Sequence, residues 1–426
     1  MTKIIIIRYC RDWILRLILH PLLLPVKDKE KNLNMKRFCI GAILGWICCA
    51  ALQAQGVGNI LREVERNNRE LSAQRKNDEA SKMGIEAENA AEDPSVEYIS
   101  QYNKEVEGQS TSELVVSQGF DFPTLYGARH REGLERKEAI NHRYEALRRK
   151  ILLDAKMLCL DLIHFNRVGD LLDARSKNAD KLLEIYEERL QAGDITLVEV
   201  NKIKMERMSI QTEVLKNNAA HRTALQALLA LNGNMPLEFD EKEYPAAVVT
   251  KDVNALFDEI VGGEAEIHAA DAELRAAEQA VKVNRQRWLP HLEVGYRRNT
   301  TADGPKEHGF IVGGSLPLFS NRKQVKMARL QSEEARMTLD DVRLKTEAEA
   351  HGRINEMQQL RKAMDIYDMD LMRQTLELLK EGVEKGEIST VDYFTEANGI
   401  YQNMQVYMEL ENNYHKTVAT LYRNRL

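Results

Sequence analysis

The chain of 426 residues has few of the residues that interrupt regular structure, with only 9 Pro and 23 Gly. Their scarcity argues against a collagen-like, disordered or all-β sandwich protein and favours long helices. Basic charge is also not in excess, since the formal net charge is −6. A surface for binding nucleic acid is therefore not expected.

Cysteine is scarce too, and four of the 5 Cys lie in the N-terminal segment 1–54. Within that segment, Lys36 and Arg37 precede an apolar run and a stretch of small residues that ends near Ala54. This order is typical of a secretory signal peptide at 35–54. Residues 1–34 are then an upstream extension. A lipid anchor on Cys48 or Cys49 is an alternative interpretation of the same segment.

Removal of residues 1–54 leaves 51 basic and 63 acidic residues, a net charge of −12. It also leaves Cys159 as the one remaining cysteine. An exported protein with a single thiol has no internal disulfide framework. We therefore expect its stability to come from packing and assembly.

The rest of the chain contains an internal duplication, with two copies of one structural unit. The turn sequence GDIT at Gly193–Thr196 recurs as GEIS at Gly386–Ser389, at an offset of 193 residues. Two prolines that bound an alternating segment recur at offsets of 196 and 194. These recurrences predict module 1 at 55–231 and module 2 at 263–426, separated by a segment at 232–262.

Each module has the same predicted order: helix, β-hairpin, very long helix, turn and helix. The hairpins are expected at about 94–123 and 289–319, and the tip turns at about 192–196 and 385–389. The predicted helices are 57–92, 124–192 and 196–231 in module 1, and 264–287, 321–385 and 389–425 in module 2. Apolar residues at spacings of three and four favour helices that carry one apolar stripe along their length. The longest would span roughly 100 Å.

The hairpin segments alternate between apolar residues and small or polar ones. In module 1, for example, Val116 and Phe120 flank Ser117 and Gly119. This alternation is typical of membrane β-strands. Four strands cannot close a barrel, and open edges are not stable in lipid, so copies of the chain must pool their strands. The aromatic residues predicted to anchor the lipid–water boundary are Trp288, Tyr98, Tyr102 and Tyr296.

The ordered set of motifs resembles the TolC family of outer-membrane efflux channels. It comprises VVSQGFDFPTLYG, VGGSLPLFSNR, ALQALLALNG and the GDIT and GEIS turns. The resemblance implies a mostly α fold with a β-barrel part: a homotrimer whose 12-stranded outer-membrane β-barrel continues into a periplasmic α-helical barrel. Residues 232–262 would join its equatorial region. The two segments in which a strand leads into a long helix resemble those of the heavy-metal efflux branch.

The implied function is an exit channel of a tripartite efflux or type I secretion system in a Gram-negative outer membrane. The channel would conduct substrate passively from a periplasmic adaptor (membrane fusion protein) and an inner-membrane transporter of the RND, ABC or a similar class. Outer-membrane lipid would surround the barrel. The alternative hypothesis is a structural periplasmic coiled-coil protein without channel activity.

The resemblance also assigns roles to residues at the tip turns. The residues expected to dock the adaptor are Gly193, Asp194, Ile195, Thr196, Gly386, Glu387, Ile388 and Ser389. The candidates for an acidic entrance gate are Asp392, its counterpart Glu199, and Glu396. The residues alone predict capping of the helices that follow the turns, with Thr196 and Glu199 as a capping box.

No catalytic, cofactor-binding or metal-ligating set is expected. The histidines are scattered without the spacing of metal ligands, and methionines at helical spacing are typical core filler. No nucleophile–base pair stands in a recognisable frame. An enzyme is therefore not expected.

Overall fold

The computed structural model describes residues 56–102, 109–246, 250, 252–301, 304–317 and 321–426. The predicted extension at 1–34 and signal peptide at 35–54 lie outside these described residues. All of the described residues belong to one compact unit, Gly56–Leu426.

The first half of the described chain forms helices and strands in an order that the second half repeats. Its elements are α1 (Val57–Asn67), α2 (Arg69–Glu88), β1 (Ser95–Tyr102), β2 (Gln109–Phe120), α3 (Pro123–Gln191) and α4 (Leu197–Leu231). The second half contains α5 (Val253–Gly263), α6 (Ala265–Gln286), β3 (His291–Thr301), β4 (Glu307–Ser315), α7 (Asn321–Met364), α8 (Met369–Lys385) and α9 (Thr390–Leu421). A 3-10 turn at Arg423–Arg425 follows. The fold is mostly helical, as the composition predicts.

The longest helix, α3, has 69 residues and begins at Pro123, whose fixed φ suits the first helical position. Its buried stripe includes Ile151, Ala155, Cys159 and Leu162 at spacings of four and three. These residues pack in the main apolar cluster with residues of α1 and α4, among them Leu228. Cys159 is a free and fully buried thiol at the centre of this cluster.

Two helices that the sequence predicts as continuous are interrupted in the structure. Between α1 and α2, the Asn68 side chain accepts a hydrogen bond from the Leu71 N–H at 2.9 Å. Between α7 and α8, the Asp368 carboxylate accepts from the N–H groups of Asp370 and Leu371, at 3.1 and 2.9 Å. Asn and Asp bind nearby backbone N–H groups in this way, so they favour a new helix start over continuation.

The four strands form one antiparallel sheet in the order β1-β2-β3-β4. Val116 on β2 pairs with Val96 on β1 and with Tyr296 on β3, and Tyr296 in turn pairs with Phe310 on β4. The two hairpins are therefore joined through β2 and β3, although Phe120 and its partner Leu292 lie 172 positions apart in the chain.

The two faces of the sheet differ in chemistry. The face that carries Val116 and Phe310 is apolar and open, with the Phe310 side chain 90% exposed and that of Val312 85% exposed. The opposite face carries the ion pair between Arg297 and Glu113 at 2.7 Å. Strand alternation thus separates an apolar surface from a polar one.

The helices form a layer with two open edges. Helix α3 contacts α2 and α6 along its first half and α4 and α9 along its second half. Helix α7 contacts α5, α6 and α9, and α8 contacts α9. Helices α2 and α4 therefore lie at one edge of the layer, and α7 and α8 lie at the other.

None of the helices in the described part of the chain is long and apolar enough to cross a membrane.

Candidate functional site

The two tip turns have the same backbone geometry. Gly193 follows α3 with φ +79° and Gly386 follows α8 with φ +78°, a left-handed conformation that glycine adopts without strain. The Asp194 N–H donates to the Arg189 carbonyl at 3.0 Å, and the Glu387 N–H donates to the Gly382 carbonyl at 2.9 Å. Both are Schellman C-caps, which reverse the chain within a few residues.

A hydroxyl and a carboxylate cap the helix that begins after each turn. The backbone N–H and the hydroxyl of Thr196 donate to Glu199 Oε2, at 2.8 and 3.1 Å. The Ser389 hydroxyl donates to Asp392 Oδ2 at 2.7 Å and accepts from the Asp392 N–H at 3.2 Å. The carboxylates of Glu199 and Asp392 are therefore part of the caps of α4 and α9.

The two hydrogen bonds from Thr196 lower the pKa of Glu199, and the bond from the backbone N–H has the larger effect. A carboxyl group whose pKa is lowered on folding stabilises the fold above its ordinary pKa. This contribution is lost as the pH falls through the lowered pKa, so the cap of α4 is intact at neutral pH.

One apolar cluster holds the two turns side by side. Ile195 from the first turn and Ile388 from the second pack against it, and its buried members include Leu182, Val383 and Tyr393. The Ile388 side chain fills the space over Gly382, where a Cβ atom would lie 2.5 Å from the Ile388 Cδ1. The structure therefore brings the two sequence-predicted turns together at one end of the molecule.

The gate candidates lie on the open surface of this end. Asp392 and Glu396 are exposed and follow each other by one helical turn on α9, whereas Tyr393 and Ala397 face the apolar cluster. Glu199 is half-buried at the start of α4. These carboxylates are accessible to an ion or to a neighbouring chain.

Replacement of Gly386 by Ala should destabilise the second turn by about 1–2 kcal/mol, because a Cβ atom is strained in the left-handed conformation. The matched control is Gly399→Ala in the interior of α9, where nothing lies within 4 Å of the added atom. That change should stabilise the protein by up to about 1 kcal/mol. Thermal denaturation of both variants measures the difference. Equal melting temperatures would contradict the assigned turn geometry.

A buried polar cluster that was not predicted from the sequence lies further along the same helices. Arg175 on α3 is 8% exposed and donates to Glu206 Oε1 at 2.5 Å and to Glu213 Oε2 at 3.1 Å, both on α4. It also donates to Asn398 Oδ1 on α9 at 2.8 Å and lies over the Tyr401 ring. Arg175 therefore ties the second helix pair to the first.

A signal for this cluster was present in the sequence. Leu172, Ala179 and Leu182 continue the buried stripe of α3 at helical spacing, and Arg175 occupies a position within that stripe. A charged residue in an apolar stripe predicts a buried partner of opposite charge.

The predicted aromatic anchors lie along the open sheet. Trp288 is 60% exposed where α6 gives way to β3, and Tyr102 is exposed at the far end of β1. Tyr98 lies between these levels, as does Tyr296, whose hydroxyl is hydrogen-bonded to the His308 ring. The four side chains therefore mark both ends and the middle of the sheet.

Across the described residues, no group of three or more His, Cys, Asp or Glu side chains could hold a metal ion.

Comparison with known proteins gives a family match in the second half of the chain. Residues 256–424 match the family of outer membrane efflux proteins. No curated protein matches the chain in sequence. The matched segment contains the second hairpin, the second tip turn and the gate candidates Asp392 and Glu396. A family of channel proteins agrees with the expectation that the chain is not an enzyme.

Solved structures share the fold over most of the chain. The channel-forming protein CusC is 13% identical, with a TM-score of 0.73, over 87% of this chain and 92% of that one. The outer membrane protein VceC of Vibrio cholerae is 17% identical, with a TM-score of 0.68, over 87% and 96%.

A third solved structure agrees. The CmeC outer membrane channel of Campylobacter jejuni is 15% identical, with a TM-score of 0.67, over 86% of this chain and 85% of that one. At such low identities the likeness concerns the fold. The predicted resemblance to the outer-membrane efflux channels is therefore confirmed, by the family match over residues 256–424 and by the shared fold over most of the chain.

Proposed function

We propose that three copies of this chain form the outer-membrane exit channel of an efflux system. Their pooled strands form a 12-stranded barrel, and their helix layers close into a tube that extends into the periplasm. The outer membrane efflux family match supports the location and the transport function. The main support for the assembly is that one copy leaves two unpaired edges on its sheet and two open edges on its helix layer.

The four-stranded sheet of one copy would not be stable by itself in lipid, because its two edges are unpaired. Strands β1 and β4 are its edges, and each pairs on one side only among the described residues. An edge strand exposes unpaired backbone groups, which cost several kcal/mol each in a bilayer. The apolar face has the side chains for lipid contact, so closure of the edges by sister copies makes a membrane barrel from these strands.

Each edge of the helix layer carries an exposed apolar seam, on α4 in the half near the tip turns and on α7 in the half near the sheet. On α4, the exposed residues Val198, Met205, Met208 and Leu215 follow spacings of seven, three and seven. On α7, the exposed residues Met327, Leu330, Met337 and Leu344 follow spacings of three, seven and seven. Seven-residue spacing is the repeat of helices that pack along a coiled-coil seam. We expect each edge to pack against the opposite edge of a sister copy.

The assembly is tested by the mass and conductance of detergent-extracted protein. We expect a complex of three chains that conducts ions when it is reconstituted in a planar bilayer. A single subunit, or a protein that remains in the aqueous fraction, would instead support the structural coiled-coil hypothesis and would reject the channel.

The tip turns are proposed to dock the periplasmic adaptor, which links the channel to an inner-membrane transporter. Supporting this, both turns are exposed, rigidly capped and held side by side by one apolar cluster. The adjacent Asp392, with Glu199 and Glu396, is proposed to form the acidic entrance gate. Three copies of such a carboxylate around a narrow axis attract cations and repel anions.

Replacement of Asp392 by Ala should raise the conductance of the resting channel severalfold and weaken its preference for cations. The reason is that the change removes charge and bulk from the proposed constriction while the trimer seams stay intact. The control is Glu409→Ala, which removes an exposed carboxylate further along the same helix. Single-channel recordings in a planar bilayer measure both variants. An identical response of the two variants would place the gate elsewhere.

A further inference from the structure

A groove of about 900 Å³ lies where the last strand leads into α7. One wall is apolar and consists of Trp288, Leu316 and Pro317. Leu316 continues the alternation of Phe310 and Val312 and is likewise exposed, so the groove opens at the end of the apolar sheet face. Residues 318–320 lie outside the described part of the chain.

The other wall of the groove is basic. Arg322, Lys326 and Arg329 line it at spacings of four and three, which places them on one face of α7. All three are exposed, and none forms an ion pair with another described residue. The first turn of α7 adds the partial positive charge of a helix N-terminus.

No Asp or Glu is among the residues that line the groove, and the nearest carboxylates on α7, Glu333 and Glu334, lie about one turn beyond Arg329. Neither 282–292 nor 316–332 contains an Asp or Glu, and the first of these stretches adds Lys282, Arg285 and Arg287. The basic character is local, because residues 55–426 have a net charge of −12. The groove is therefore a positive site on a negatively charged protein.

We infer that this groove binds an anionic glycerophospholipid, with its phosphate on Arg322, Lys326 and Arg329 and an acyl chain along Trp288 and Leu316. The inference rests on the proposed membrane barrel. The lipid belongs to the leaflet on the helical side, because the groove lies at the end of the strands that joins the helices.

The two walls together select a lipid over a free anion. Inorganic phosphate would use the three cations but would leave the apolar wall in water. An indole ring that is exposed at the end of a membrane strand is suited to the level of the lipid headgroups. Basic side chains beside it attract anionic lipids with about 1 kcal/mol for each Lys or Arg.

The test titrates the intact trimer in detergent with phosphatidylglycerol and counts the bound lipids by native mass spectrometry. The variant is R322Q/K326Q/R329Q. Since each cation is worth about fivefold in affinity, the variant should bind phosphatidylglycerol on the order of 100-fold more weakly than the unchanged protein.

The control is R343Q/R361Q/K362Q, which removes three exposed and unpaired cations from the same helix. It should bind the lipid like the unchanged protein. Trp288→Ala should weaken lipid binding and leave the binding of inorganic phosphate unchanged. Equal affinities of the two triple variants, or displacement of the lipid by an equal concentration of inorganic phosphate, would overturn the inference.

The mass and conductance of the same preparations separate this inference from the proposed function. A conducting trimer without selective lipid binding rejects the lipid site alone. A single subunit that does not conduct rejects the proposed channel. It also rejects the lipid site, because that site depends on the proposed membrane barrel.

Discussion

Replacing Arg175 with Ala is expected to lower the free energy of unfolding by about 3–5 kcal/mol. Arg175 is the cation shared by Glu206 and Glu213, whose carboxylate oxygens lie 2.5 and 3.1 Å from its guanidinium nitrogens in a largely buried site. Removal of the cation leaves two carboxylates beside each other without a charge partner. The loss exceeds that of an exposed pair because water cannot solvate the carboxylates fully.

The measurement is thermal denaturation of the detergent-solubilised protein, followed by its helical circular dichroism. The control is Arg207→Ala, which breaks the ion pair with Asp180 that links the same two helices at 2.6 Å but lies half in solvent. Exposed pairs contribute about 0–1 kcal/mol, so this control should melt close to the unchanged protein. Equal melting temperatures of the two variants would mean that the buried cluster contributes no more to stability than the exposed ion pair does.

A second test distinguishes charge from packing. The combined variant R175M/E206Q/E213Q removes the cation and both carboxylates together. Replacing a whole buried ion cluster by neutral groups is often nearly neutral for stability. The combined variant should therefore recover most of the melting temperature lost in Arg175→Ala. A further loss would assign the effect to the shape of the Arg175 side chain.

Replacing Phe310 with Arg is expected to destabilise the membrane-inserted protein by about 2–4 kcal/mol, the cost of a lipid-facing cation near the bilayer centre. Phe310 is the most exposed side chain of the apolar sheet face. The adjacent residue Ile311 is the matched control, because successive strand residues point to opposite faces. Ile311→Arg places the same charge on the polar face, where Arg297 already pairs with Glu113.

Urea denaturation in lipid vesicles, together with recovery in the outer-membrane fraction, measures both variants. We expect a large loss for Phe310→Arg and little loss of stability for Ile311→Arg. A larger loss for Ile311→Arg would mean that the sheet faces lipid with its other side.

The elements that depend on local pattern could be predicted from the sequence. The scarcity of Pro and Gly in 124–192 and the regular stripe of apolar residues are enough to predict α3, which the structure has at Pro123–Gln191. The duplicated GDIT and GEIS motifs likewise predict the two turns. Their left-handed glycines at positions 193 and 386 follow from the requirement for a sharp reversal.

The features that depend on distant partners could not be predicted in the same way. The break before Asp368 has no Pro or Gly to mark it, and its signal is only an Asp that can cap the next helix. The register of β2 against β3 joins residues from different modules, and alternation sets the faces but not the pairing. The contact of Arg175 with Asn398 spans 223 residues.

The fully buried thiol of Cys159 makes residues 55–426 a ready background for site-directed labelling. Burial raises the pKa of this thiol to about 12, so almost no thiolate exists at neutral pH. Maleimides and other thiol-directed reagents attack the thiolate of accessible cysteines. Since Cys159 is the only cysteine in residues 55–426, a cysteine introduced at Asp194, Glu387 or Phe310 would be the reactive one. Spectroscopic probes could then report on either end of the molecule without prior removal of a native side chain.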